Sequence, residues 1–135
     1  MNNLPQQFCP HTHEHPISAI AYDPLSRTLV TADESGQIAI HYHGESTPSI
    51  HLQHSARINN ALDLQRGGEL LAVGDDNGTI AIYETRTGNV AFYEERTGAR
   101  GRVRAFLGVS INPQGSLLAA ISQDKILRIW DIQKQ

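Results

Sequence analysis

Residues 122–131 read Ser-Gln-Asp-Lys-Ile-Leu-Arg-Ile-Trp-Asp, a pattern typical of a strand, a tight turn and a second strand. The chain repeats this pattern twice upstream, as Asp-Asp-Asn-Gly-Thr-Ile-Ala-Ile-Tyr-Glu at 75–84 and Asp-Glu-Ser-Gly-Gln-Ile-Ala-Ile-His-Tyr at 33–42. The last residues of consecutive copies are 42 and 47 residues apart. Three copies in one chain indicate a repeat architecture in which each copy belongs to one structural unit.

Further strand patterns surround each copy and are bounded by turn residues. We predict strands at 17–22, 28–31, 38–42, 49–53, 58–64, 70–73, 79–83, 90–94, 106–111, 117–121 and 126–130. No window has a sustained helical period, so the chain is predicted to be all-β. The segments 38–40 and 80–82 both read Ile-Ala-Ile. Apolar residues at successive positions indicate sheets buried on both faces, and such sheets must stack on one another.

The composition limits the classes of function. The chain has 135 residues, of which 39% are hydrophobic and 19% charged, as expected for a globular protein. A net charge of -3 argues against a nucleic-acid partner. The single cysteine, Cys9, cannot form an internal disulfide, which fits a reducing compartment. No stretch approaches the roughly 20 apolar residues that a membrane helix needs. We therefore expect a cytoplasmic protein, with the nucleus as the alternative, and no membrane partner.

These three copies make the sequence resemble the WD-repeat family, and the resemblance extends over nearly its whole length. The resemblance implies β-propeller blades, here about three four-stranded antiparallel sheets in one propeller segment spanning 1–135. The predicted repeats are approximately 8–46, 47–88 and 89–135. Residues 7–12 resemble an outer strand and are expected to supply the strand missing after Trp130.

Three blades are fewer than the four to eight of known propellers. The chain is therefore a piece of a longer ring, a truncated product, or half of a six-bladed ring completed by a second copy. The sequence leaves these alternatives open. If the chain is complete, we expect a homodimer, because its end sheets would otherwise expose large apolar faces.

The resemblance also implies a polar tie in each blade, made by a His before the innermost strand, a Ser or Thr on the second, an Asp in the tight turn and a Trp on the third. The third copy has three of these residues, namely Ser122, Asp124 and Trp130, with Arg102 near the His position. The second copy has His54, Asn77 and Tyr83 at the matching positions. The first copy has His13, Ser35 and His41. Each replacement keeps some hydrogen-bonding capacity, which suits a structural tie better than catalysis.

A second hypothesis concerns metal binding. Cys9, His11, His13 and His15 lie at every second position, so on an extended strand they would project from one face. Residues two apart on a strand are about 6.5–7 Å apart, which is poor geometry for one tetrahedral ion. We therefore predict no metal and no cofactor, and keep a metal- or small-ligand-binding propeller, acting as sensor or enzyme, as the alternative. No catalytic motif occurs, so the chain is predicted not to be an enzyme.

The longer spacing between the second and third copies comes from an arginine-rich stretch. Its four arginines, within nine residues, are Arg96, Arg100, Arg102 and Arg104. Guanidinium groups bind carboxylates and phosphates through paired hydrogen bonds. The stretch therefore predicts a protein-interaction scaffold that binds acidic or phosphorylated segments of other proteins. The alternatives are a solvated loop partly neutralised by Glu94 and Glu95, or a structural role for Arg102 at the vacant His position.

Overall fold

The computed structural model describes residues 13–43, 50–54, 56–58, 61–95 and 105–133. Within these ranges the chain has eleven strands and no helix, so the all-β prediction is confirmed. The strands are β1 (Ile17–Asp23), β2 (Thr28–Asp33), β3 (Gln37–His41), β4 (Ile50–Gln53), β5 (Leu62–Leu64), β6 (Leu70–Gly74), β7 (Thr79–Glu84), β8 (Val90–Glu95), β9 (Phe106–Ile111), β10 (Leu117–Ser122) and β11 (Leu127–Asp131).

The strands form three antiparallel sheets in chain order. Sheet 1 contains β1 to β4, sheet 2 contains β5 to β8, and sheet 3 contains β9 to β11. In every sheet each strand pairs with the next along the chain, so the predicted succession of blades is confirmed. The predicted outer strand at 7–12 lies outside the described residues. The repeat boundaries at 8–46, 47–88 and 89–135 stay predictions.

The three sheets are stacked, and two apolar layers fill the spaces between them. The first layer joins one face of sheet 1 to sheet 2, and its members include Ile38, Ile40, Leu71, Val73 and Tyr83. The second layer joins the other face of sheet 2 to sheet 3, and its members include Ile80, Ile82, Phe106, Ile111 and Leu118. Sheet 2 is thus covered on both faces. This arrangement explains the successive apolar residues of β7, which are all fully buried.

The hairpin between the second and third strands has a left-handed residue in all three sheets. Gly36 has φ 89°, Gly78 has φ 83°, and Lys125, at the same place in sheet 3, has φ 69°. Glycine adopts this region without a steric cost, whereas a lysine does not. At Gly36 a side chain would also meet the backbone, since a Cβ atom there would lie 2.6 Å from the carbonyl oxygen of His54. The first turn therefore requires glycine, and the third turn carries strain.

The outer faces of the stack remain apolar and exposed. Sheet 1 exposes Ile20 and Tyr22, and sheet 3 exposes Ile121, Leu127 and Ile129. In the described part of the chain, no helix has the length and apolar character needed to cross a membrane.

Candidate functional site

The first polar tie lies at one end of sheet 1 and joins the segment before β1 to β2. His13 Nδ1 is 2.9 Å from Asp33 Oδ2, and His13 Nε2 is 2.7 Å from the Thr31 hydroxyl. His41 on β3 extends the chain of contacts, with its Nε2 3.5 Å from Thr31 Oγ1. A carboxylate only accepts hydrogen bonds, so Nδ1 carries the proton and donates it to Asp33. The second ring nitrogen, Nε2, forms the hydrogen bond with the Thr31 hydroxyl.

Asp33 is fully buried, yet its carboxylate is well supplied with donors. Its Oδ1 accepts hydrogen bonds from the Ser35 amide at 2.8 Å, the Ser35 hydroxyl at 2.6 Å and the Gln37 amide at 3.1 Å. Burial acts to raise the pKa of Asp33, but the hydrogen bonds from Ser35, His13 and the Gln37 amide outweigh it and hold the pKa below its usual range. The carboxylate is therefore both the turn cap and the histidine partner.

The second tie also joins a histidine to an aspartate and a hydroxyl, but the hydroxyl belongs to a tyrosine and the two ring nitrogens exchange their partners. His54 Nε2 lies 2.8 Å from Asp75 Oδ2, and its Nδ1 lies 2.7 Å from the Tyr83 hydroxyl. Asp75 Oδ1 accepts the turn amides of Asn77 and Thr79 at 2.8 and 2.9 Å. Burial, with smaller contributions from Tyr93 and Asp75, raises the pKa of Tyr83 to about 12. Tyr83 is thus neutral at physiological pH and keeps its proton for the histidine.

These contacts correct our prediction of which turn residue belongs to the tie in the first two sheets. The predicted turn residues were Ser35 and Asn77, but the side chains that face the histidines are Asp33 and Asp75, two positions earlier. The reason is geometric, since the first residue of the turn can cap the turn amides with one oxygen while its second oxygen points at the imidazole. The signal was present in the sequence, because both copies begin with aspartate.

Sheet 3 organises its polar residues differently. Ser122 stands where sheets 1 and 2 have their tie carboxylates, and its hydroxyl donates to Asp124. Arg128 Nη1 donates to Ser122 Oγ at 2.8 Å, and Arg128 Nη2 donates to Asp124 Oδ2 at 2.6 Å. The Arg128 guanidinium and the Ser122 hydroxyl hold the pKa of Asp124 far below its usual range. Arg128 was not among the predicted site residues.

Trp130 does not join Ser122 and Asp124. It is half-buried, and its Nε1 donates to Glu94 Oε2 of the preceding sheet at 3.1 Å. Its ring lies edge to face with Phe92 and Phe106, at centroid distances of 6.2 and 6.5 Å. The tryptophan therefore connects two sheets, because β11 turns this side chain toward sheet 2.

The buried ties have the residue types of a catalytic triad but no access to a substrate. The side chains of His13 and Asp33 are 1% and 0% exposed, and those of His54 and Asp75 are likewise 1% and 0% exposed. Each histidine has both ring nitrogens in contact with a neighbour. Residues in such closed networks fix the positions of strands and do not bind solutes.

The hypothetical metal cluster falls only partly in the described region. Cys9 and His11 lie outside the described residues, while His13 uses both ring nitrogens for Asp33 and Thr31. To ligate an ion through either nitrogen, His13 would have to leave this tie. Among the described residues no group of three or more His, Cys, Asp or Glu side chains is placed to hold a metal ion.

The arginine-rich segment, which we define as residues 96–104, lies outside the described residues together with Arg96, Arg100, Arg102 and Arg104. Its attachment points are described. Glu94 and Glu95 end β8, where Glu94 accepts from Trp130 and Glu95 accepts from the Tyr93 hydroxyl at 2.7 Å. At the other end, Ala105 leads into β9. The segment is therefore anchored in two packed sheets.

Comparisons with known proteins agree with this architecture. The chain matches the family described as WD domain, G-beta repeat over residues 4–41 and 97–131, which together make more than half of the chain. It is also similar to the WD repeat-containing protein SL1-17 of Schistosoma mansoni, with 29% identity over 114 residues. That match covers 84% of this chain and 36% of the relative. The chain thus spans about a third of the length of this curated relative.

Proposed function

Because the chain belongs to the WD-repeat family, we propose that it is a non-catalytic scaffold on which other proteins assemble. WD repeats are generally protein-interaction scaffolds, and the family is typically non-enzymatic. The observation that carries the proposal is the burial of the ties around His13 and His54. Their polar atoms contact one another and are not accessible to a substrate. A partner would therefore bind exposed side chains and not the buried ties.

The proposed binding element is the arginine-rich segment, and its proposed partner is an acidic or phosphorylated protein segment. Arg100, Arg102 and Arg104 alternate along the chain, and a guanidinium meets a carboxylate or phosphate through two parallel hydrogen bonds. The anchoring of both ends in stacked sheets supports this role, since fixed ends lower the entropy lost when a partner binds. The same proposal places the protein in the cytoplasm, with the nucleus as the alternative, and includes self-association.

The proposed binding can be tested by titrating the protein into a fluorescein-labelled poly-glutamate peptide and into a phosphoserine peptide of equal length. The variant changes Arg100, Arg102 and Arg104 to alanine together. The matched control changes Arg66 and Arg86, which are exposed arginines on other turns. We expect salt-sensitive binding to at least one peptide, abolished in the variant and kept in the control. Equal affinity of variant and control would refute the role of the segment.

A further variant separates charge from geometry. Replacing the same three arginines by lysine keeps the charge but removes the planar fork. If paired hydrogen bonds matter, the lysine variant should bind several-fold more weakly than the parent at the same salt concentration. Identical binding would show that only net positive charge is recognised.

A further inference from the structure

The turn between β6 and β7 contains the one Asn-Gly pair of the sequence, Asn77-Gly78. In such a pair the backbone nitrogen of the glycine can attack the side-chain carbonyl carbon of the asparagine, because glycine has no side chain to obstruct the approach. The turns at the same place in sheets 1 and 3 contain Ser35-Gly36 and Asp124-Lys125. Neither has a carboxamide followed by a glycine, so the second turn is chemically different from the other two.

The folded turn leaves both reacting groups of this pair accessible. Asn77 is exposed, and within the described residues its carboxamide has no hydrogen bond to another part of the protein. The Gly78 nitrogen lies 3.4 Å from the Asp75 carbonyl oxygen, whereas the same contact measures 3.1 Å at Gly36 and at Lys125. A long hydrogen bond is a weak one, so the Gly78 amide is the least restrained of the three.

We propose that Asn77 is a site of spontaneous covalent modification, converted through a cyclic imide to aspartate and isoaspartate. The Gly78 nitrogen forms a bond to Cγ of Asn77, the bond from Cγ to Nδ2 breaks, and the side-chain nitrogen leaves as ammonia with the proton of the Gly78 amide. Water then adds to one of the two carbonyl carbons of the ring, whose bond to the Gly78 nitrogen breaks as that nitrogen regains a proton. Opening at Cγ gives aspartate. Opening at the backbone carbonyl carbon gives isoaspartate, in which the main chain runs through the former side chain.

The two products should affect the second tie differently. Asp75 is fully buried, and its Oδ1 accepts the amides of Asn77 and Thr79 at 2.8 and 2.9 Å while its Oδ2 lies 2.8 Å from His54 Nε2. Isoaspartate adds one carbon to the main chain between these two amides, so both cannot keep their places on Oδ1. A buried carboxylate that loses its donors destabilises the fold. Isoaspartate should therefore open the tie, whereas aspartate leaves the main chain of the turn unchanged.

The test follows the folded parent protein during prolonged incubation at mildly alkaline pH. Peptide mapping by mass spectrometry measures conversion at each asparagine, and electron-transfer fragmentation separates aspartate from isoaspartate. Digestion in heavy-oxygen water labels any product that forms during digestion, so that it is not counted.

Two asparagines of the same chain are internal controls. Asn89 is exposed but precedes the β-branched Val90, and Asn112 precedes Pro113, whose nitrogen has no proton to lose. We expect conversion of Asn77 at least about tenfold faster than that of Asn89, and none at Asn112. The rate at Asn77 should rise with pH, because the attacking amide must lose its proton.

Asn77→Ser is the matched variant, since it gives the second turn the residue that sheet 1 has at position 35. Aged parent protein should acquire a fraction with a lowered melting temperature, and that fraction should contain the isoaspartate. Aged Asn77→Ser should acquire no such fraction. Asn77→Asp, which has the sequence of the other product, should melt close to the fresh parent.

Conversion of Asn77 no faster than that of Asn89 would overturn the proposal. Conversion confined to protein unfolded in urea would also overturn it, because the folded turn would then protect the pair. An isoaspartate fraction that melts with the parent would refute the opening of the tie. The measurement on the parent needs no variant to fold, and no binding partner is present, so its result is separate from any failure of the arginine-rich segment to bind.

Discussion

The Tyr83 hydroxyl lies 2.7 Å from Nδ1 of His54, whereas in the first sheet the hydroxyl beside the histidine is that of Thr31, 2.7 Å from Nε2 of His13. Val73 stands at the register position of Thr31, so β6 offers no hydroxyl to the histidine of sheet 2. The longer tyrosine reaches the ring from β7, and the two rings meet edge to face at 5.9 Å. The two sheets thus supply a hydroxyl to the buried histidine from different strands and at different ring nitrogens, Nε2 of His13 and Nδ1 of His54.

This relationship makes Tyr83→Phe a sharp test of the second tie. Removing the hydroxyl leaves a buried imidazole nitrogen without its donor, which should lower the free energy of unfolding by about 1–3 kcal/mol. The matched control is Tyr93→Phe, whose hydroxyl bonds Glu95 on the surface and should matter by less than about 0.5 kcal/mol. Urea unfolding measures both. Equal losses in the two variants would contradict a structural role for the Tyr83 contact.

The first tie should make stability depend on pH. The pKa of Asp33 is lower in the folded than in the unfolded state, so its ionised form stabilises the fold above the ordinary pKa of 3.8. That contribution is lost as the pH falls through the lower folded-state value. Asp33→Asn should cost about 1–3 kcal/mol at neutral pH, because its NH2 group would face a donor on either side, the His13 nitrogen or the turn donors of Ser35 and Gln37.

The pH series distinguishes this account from simple damage to the turn. The difference in unfolding free energy between the parent and Asp33→Asn should shrink as the pH falls below about 4. Asp76→Asn, a neighbour of the second tie with a partly exposed carboxylate, serves as the control and should differ little from the parent at any pH. A constant deficit for Asp33→Asn across the acid range would disprove the titration argument.

Introducing a glycine into the third hairpin turn and removing one from the first should have opposite effects on stability. Lys125 has a left-handed backbone that costs about 1–2 kcal/mol for a residue with a side chain. Lys125→Gly should therefore stabilise the fold by up to about 1 kcal/mol, after the greater flexibility of glycine in the unfolded chain is subtracted. Gly36→Ala should destabilise it by at least about 2 kcal/mol, since the strain is joined by a clash with the His54 carbonyl. Thermal unfolding should show melting temperatures that move in opposite directions.

Trp130 should contribute less to stability than a fully buried ring. Trp130→Ala is expected to cost about 2–3 kcal/mol, below the roughly 3–5 typical of large buried aromatic residues. Trp130→Phe keeps the contacts with Phe92 and Phe106 but loses the hydrogen bond to Glu94, and should cost about 1 kcal/mol. Tyr93→Ala, on the exposed side of β8, is the control. An alanine variant at Trp130 no less stable than that control would show that the ring does not join the sheets.

The strands were predictable because the sequence carries the same signal three times. The Ile-Ala-Ile segments at 38–40 and 80–82 have no polar alternation, and only a sheet covered on both faces satisfies them. The structure buries both segments completely. His54 and Tyr83 could also be predicted to share a tie, since one precedes the first strand of its sheet and the other lies on the third.

The contacts of sheet 3 could not be predicted in the same way. Arg128 alternates with apolar residues on β11, and an arginine in such a pattern is usually solvated. Its hydrogen bonds to Asp124 depend on the geometry of the turn. The partner of Trp130 is Glu94, and only the stacking of sheet 3 on sheet 2 brings the two together. Long-range pairs of this kind depend on packing that local patterns do not encode.

The central claim, that the arginine-rich segment binds partners, is tested most directly by Arg102→Ala. Arg102 is the arginine for which a structural role at the vacant histidine position competes with binding. Melting temperature and affinity for the phosphoserine peptide are measured on the same preparation. The account predicts a clear loss of affinity with an unchanged melting temperature. Unchanged affinity with a lowered melting temperature would contradict it and leave Arg102 as a structural residue of the third blade.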